Sequence, residues 1–111
     1  MSTRAVKIVD RLRNVVATAE VAERAGRFAG VIDLGPMPPG LRQKFEEYEE
    51  IVNGQMFSLL DEIEGQVRAL SLKVVFEGGR EASVEDLQVY PRTGRVSFTV
   101  LREPAQGVTG S

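Results

Sequence analysis

Past Gly65 the apolar residues of this chain change their spacing to two, and two turn signals follow. Leu70, Leu72, Val74 and Phe76 alternate with Ala69, Ser71, Lys73 and Val75, the pattern of a strand with one buried face. Gly78-Gly79 supplies two residues that accept positive φ, as a tight hairpin requires. From Ala82 to Tyr90, Val84 is in phase with one face, while Leu87 and Val89 are in phase with the other. A bulge near Glu85-Asp86 would return them to a common face. Pro91-Arg92-Thr93-Gly94 reads as a second tight turn, across which Val89 should face Val96 and Leu87 should face Phe98, with Val100 completing the row. A three-stranded antiparallel meander is therefore predicted for the C-terminal half.

The N-terminal half reads as helical. Between Ser2 and Ala25, apolar residues recur at Ala5, Ile8, Leu12, Val15, Ala19 and Ala22, alternating steps of three and four. Gly26 is placed to end this first helix. The stretch from Gly26 to Gly40 is rich in Gly and Pro and reads as a long ordered connection, pinned to the core by Phe28, Val31, Ile32 and Leu34. A second helix is expected to start at Pro38 or Pro39, where a missing N–H costs nothing, and to stop at Gly65. Its stripe runs Leu41, Phe45, Tyr48, Val52, Met56, Leu59 and Ile63, with a kink possible at Asn53-Gly54. The predicted fold class is α+β: an N-terminal helical hairpin followed by the meander. With 111 residues, a single domain over 1–103 and a flexible tail over 104–111 are expected.

Composition narrows the chemistry. The chain has no Cys, no His and no Trp. Thiol nucleophiles, disulfides and zinc-thiolate sites are excluded, and the commonest general base and metal ligand is missing. No cofactor or metal site is predicted. Helix-borne carboxylates such as Glu46, Glu47, Glu49 and Glu50, or Asp61, Glu62 and Glu64, read as solvated helix faces, because neither a Glu-x-x-His pair nor a calcium-loop spacing accompanies them. Gly30 and Gly35 have the spacing of a phosphate loop, but Pro36-Met37 follows where Lys and Ser or Thr are needed. Pro36-Met37-Pro38-Pro39 matches the P-x-x-P form and serves equally as a stiff connector into a helix. No run approaches a membrane span and no signal-peptide pattern opens the chain, so a cytoplasmic protein without a membrane partner is expected.

Charge is segregated behind a net value of −2. Residues 1–27 hold six basic residues against three acidic, whereas residues 28–66 hold two against eight. Such halves suit side-by-side packing within one chain or between two. Apolar residues also exceed one stripe on each predicted helix: Val6, Val9, Val16 and Val21 on the first, and Ile51, Phe57 and Leu60 on the second. The leading functional reading is thus a non-enzymatic oligomeric interaction module, an accessory, adaptor or regulatory subunit. It would pair as a homodimer through Val9, Val16, Ile51, Phe57 and Leu60 and also bind a protein partner. The alternative is a nucleic-acid-associated regulator that sets Arg4, Lys7 and Arg11, at i, i+3 and i+7 of the first helix, against a phosphate backbone. Third is a small-molecule or metal-dependent enzyme working through carboxylates.

Overall fold

The structure is a computed structural model and describes residues 3–100. The expected tail at 104–111 lies outside them. Six strands and two helices follow in the order β1 (Arg4–Val9), β2 (Val15–Arg24), β3 (Arg27–Asp33), α1 (Pro39–Asn53), α2 (Phe57–Ala69), β4 (Lys73–Phe76), β5 (Glu81–Tyr90) and β6 (Arg95–Val100). The strands form a closed antiparallel barrel in the ring order β1-β2-β3-β6-β5-β4. β1 closes the ring because it pairs with β2 on one side and with β4 on the other, so no strand edge is left open.

The predicted N-terminal helical hairpin does not form. Its first helix is a β-hairpin, β1 and β2, and the reason is visible in burial. Val6 and Ile8 on β1, then Ala17, Ala19 and Val21 on β2, are buried at a period of two. Of the supposed helical stripe, Leu12 and Val15 stand exposed. The density of β-branched residues favours this outcome, since valine loses χ1 freedom in a helix and packs well on a pleated surface. The surplus valines were the mark of strands buried on alternate phases. A register shift between Ile8 and Val9 adds a bulge here and lets Val16 join the core as well.

The first half of the Gly- and Pro-rich connection is the third strand. Ala25 and Gly26, at φ 55° and 84°, make a two-residue turn between the paired Arg24 and Arg27, with the positive φ values that suit the twist of a hairpin. Phe28 is buried, Ile32 and Leu34 pack against the core, and Val31 faces out. Met37 is buried too, which commits the Pro36–Pro39 segment to the fold.

The helical pair of this protein is cut from the single helix expected over 39–65. Pro39 opens α1 as anticipated, but the chain breaks at Gly54-Gln55-Met56, with Gln55 at φ 57°. Gly65 falls inside α2, which runs on to Ala69. Phe45, Val67 and Met37 pack against the barrel core, while Tyr48, Ile51 and Ile63 make a second cluster between the helices, with Tyr90 of β5 against it.

β4, β5 and β6 run as a meander with turns at the expected places, but they are half of a closed barrel and not an open sheet. Gly78 and Gly79 have φ of 93° and 89°, the register shifts between Glu85 and Gln88, and Val89 pairs with Val96. Leu72, Val74, Leu87, Val89, Val96 and Phe98 are buried, and Leu70, Phe76 and Val100 are partly so. Inside the ring Phe28 stacks on Phe98 at 5.3 Å and tilts against Phe76 at 5.6 Å. Six strands enclose too little space for more than side chains.

Candidate functional site

The five residues expected to form a self-association face do not share one. Val9 and Val16 are buried on β1 and β2. Ile51 is buried on α1, Leu60 is half-buried over the same cluster, and Phe57 opens α2 with 64% of its surface exposed. The expected basic stripe is also dispersed, because the helix that would have aligned it is absent. Arg4 and Lys7 sit on β1, where a period of two sends them to opposite faces, and Arg11 lies in the β1–β2 turn.

What the fold does assemble is an apolar corner where α1 turns into α2. Met56, Phe57 and Leu59 are all exposed there, the last two on the first turn of α2. Asp61 and Glu62 follow on the same helix, also exposed. The opposite chemistry is found in the β1–β2 turn, where Leu12 is 80% exposed between Arg11 and Arg13. This turn is held by Asp10, whose Oδ1 accepts the backbone N–H groups of Leu12 and Asn14, each at 2.9 Å. Arg13, at φ 69°, donates its backbone N–H to the Asp10 carbonyl at 3.0 Å and reaches across to Glu81 with its guanidinium.

The Asn14 backbone N–H, with further help from the Asn14 side chain and Leu12, holds the Asp10 carboxyl below its ordinary value of 3.8. A depressed folded value means that the turn gains its full support above pH 3.8 and loses it as pH falls through the lower folded value. The Leu12 and Asn14 amide signals should therefore titrate with a midpoint below pH 3.8. Drift with a midpoint at or above pH 3.8 would contradict this.

A second feature lies along β5. Asp86 sits in the bulge at φ 54°, a left-handed conformation uncommon for a residue with a side chain. Both of its oxygens are engaged: Oδ2 accepts from Arg27 Nη1 at 2.9 Å, and Oδ1 accepts from Gln88 Nε2 at 3.1 Å. Arg27 also donates to Ser97 Oγ at 2.9 Å, and Tyr90 donates its hydroxyl to Gln88 Oε1 at 2.7 Å. This chain of polar groups crosses β3, β6 and β5 and ends at Tyr48 of α1, whose ring lies 6.1 Å from that of Tyr90. Burial pushes both phenols up, and the neighbouring phenol, Glu64 and Asp86 add to the effect at Tyr48. Tyr48 thus stays neutral. Beside it opens a cavity of about 520 Å³ between α2 and β4–β5.

One carboxylate on the acidic helix is not a solvated group. Glu49 is buried, and its Oε1 accepts the backbone N–H of Arg92 at 3.0 Å, tying α1 to the β5–β6 turn. Glu49→Ala leaves that donor without its partner and should cost about 1–3 kcal/mol in urea denaturation. Glu49→Gln keeps an acceptor and should cost less; equal losses would show that the hydrogen bond is immaterial.

Among the described residues no three Asp, Glu, His or Cys side chains cluster as metal ligands, and no helix is long and apolar enough to cross a membrane. No protein-family model, no curated protein and no solved structure matches this chain.

Proposed function

We propose that this chain is a non-enzymatic interaction module that associates with further copies of itself, the α1–α2 corner of one copy seating against the β1–β2 turn of another. The observation that supports this reading is the corner. Met56, Phe57 and Leu59 are large, apolar and exposed side by side, although the barrel and the helix interface have buried their own apolar sets. Burying a fully exposed side chain of this kind is worth about 1.5–3 kcal/mol, and Phe57, the most exposed of the three, has the largest share of that still to gain.

Charge selects the opposing surface. Two corners face to face would bring Asp61 and Glu62 against their own copies, a like-charge arrangement that costs affinity. The β1–β2 turn offers an exposed leucine flanked by arginines and is complementary in both respects. In a two-fold arrangement each chain gives one corner and one turn, so association stops at a dimer.

Light scattering at tens of micromolar protein should give about twice the 12.2 kDa of the chain. Arg11→Glu should reduce the mass towards the monomer, and so should the double variant Asp61→Lys with Glu62→Lys. Mixing these two proteins restores opposite charge at both contacts and should recover the dimer. A mixture that stays at 12.2 kDa would refute the pairing of corner with turn.

A further inference from the structure

The β1–β2 turn carries two arginines that the fold treats differently. Arg11 and Arg13 both flank the exposed Leu12, but among the described residues Arg13 is ion-paired and Arg11 is not. The Arg13 guanidinium meets Oε2 of Glu81, and Oε1 of the same carboxylate lies 3.9 Å from Lys73 Nζ. Lys7 of β1 pairs with Val75 of β4, which pairs in turn with Glu81 of β5. Ile8 and Val74, the next residues on those strands, are buried inside the barrel, so this row faces out. Glu81 therefore stands two strand spacings from β1, about 9.6 Å, and Arg13 has to reach over β4 to meet it.

That reach is held from both ends. Arg13 stands at φ 69°, a left-handed conformation that a residue with a side chain keeps only where its surroundings fix it. Asp10 fixes the backbone of the turn through the hydrogen bonds it accepts, and Glu81 fixes the Arg13 side chain. Glu81 Oε2 is closed off from solvent, although the side chain as a whole is 27% exposed. On the carboxylate side the pair is thus shielded, and salt screens it less than it would a pair fully in water. Removing the Glu81 charge leaves Arg13 and Lys73 without their shared counter-charge and lets the turn move. Arg11, by contrast, is free to meet an acidic surface.

We propose that Glu81 is a positioning residue for self-association: by drawing Arg13 back over the barrel wall it presents Leu12, and Arg11 is the charge that meets Asp61 and Glu62 of a second copy. This assignment rests on the pairing of corner with turn. Glu81→Gln keeps the shape of the side chain and removes its charge. Sedimentation equilibrium should give this variant a dimer dissociation constant about fivefold higher, the upper end for an exposed ion pair. Arg13→Glu and Glu81→Arg should each weaken association, and the two together should recover it, because the reversed pair holds the turn as the native one does. If Arg13 instead touched the acidic corner directly, the double variant would associate no better than Arg13→Glu, and that result would overturn the proposal. A second comparison is made in the Arg11→Glu background, which the corner–turn pairing makes monomeric. There, adding Glu81→Gln should lower the ¹⁵N heteronuclear NOE at Leu12 and Arg13; equal values would also overturn the proposal. A parent protein that stays monomeric refutes the corner–turn pairing itself, and the NOE comparison still decides whether Glu81 holds the turn.

Discussion

Replacing Phe98 with Ala should cost about 3–5 kcal/mol in urea denaturation, the largest loss expected from any single truncation in this chain. Phe98 is fully buried on β6, directly opposite Phe28 of β3, and their rings stack at 5.3 Å with only 12° between planes. The cost depends on how far the surroundings can collapse into the space left behind. Here they cannot move far, because Phe98 sits inside a ring whose strands are each hydrogen-bonded on both sides. Phe98→Leu retains part of the volume and should lose less. A loss well below 1 kcal/mol for the alanine variant would mean that this ring is not the centre of the core.

Gly30→Ala is expected to be nearly as damaging, at about 3 kcal/mol, although it adds one methyl group. A Cβ built on Gly30 would overlap the backbone carbonyl oxygen of Glu20 and stand 2.8 Å from Cα of Val21. Gly30 pairs with Val21 on one side and Val96 on the other, so β3 is fixed from both directions where β2 comes closest. A flexible side chain could swing aside, but backbone in a closed ring has to shift as a unit. If thermal denaturation showed Gly30→Ala within about 0.5 kcal/mol of the parent, the close approach of β2 and β3 would be disproved.

The C-terminal half of this fold was legible because its signals are local. Gly78-Gly79, the phase change at Glu85-Asp86 and Pro91–Gly94 each act within a few residues, and together they set the register of Val89 against Val96. The N-terminal half was not, because its residues satisfy two periods at once. Ala5, Ile8, Leu12, Val15, Ala19 and Ala22 fit a helical stripe, while Val6, Ile8, Ala17, Ala19 and Val21 fit a strand pair. The choice between them is made by β4, to which β1 pairs across more than sixty residues of sequence. The turns here also carry weak signals. Ala25-Gly26 lacks the usual Asn or Asp, and the turn after Asp10 depends on a carboxylate and contains neither Gly nor Pro.

The candidate site divides in the same way. Phe57 stands out as an apolar residue beyond one helical stripe, and the break at Gly54 exposes it together with Met56 and Leu59 of the stripe itself, while Leu60 packs against the helix cluster. Val9 and Val16 carried the same mark for a different reason, since they belong to strands. Leu12 fits the helical stripe by spacing, and only the strand-turn-strand geometry exposes it between two arginines. Arg27 and Asp86 are 59 residues apart and meet only because β3 and β5 both flank β6. The cavity likewise needs α2 packed against β5.

The most direct measurement of the proposed association uses the absence of native cysteine. Ser58→Cys places a nitroxide label next to Phe57, on an exposed position that leaves the corner's apolar side chains intact. Mixed with unlabelled-spin, ¹⁵N-enriched protein, it broadens signals only between chains. The account predicts broadening at the amides of Arg11, Leu12 and Arg13 of the enriched copy, diminished in Arg11→Glu. Spectra without intermolecular broadening, or broadening centred on Met56–Leu60 instead, would contradict the seating of the corner on the β1–β2 turn.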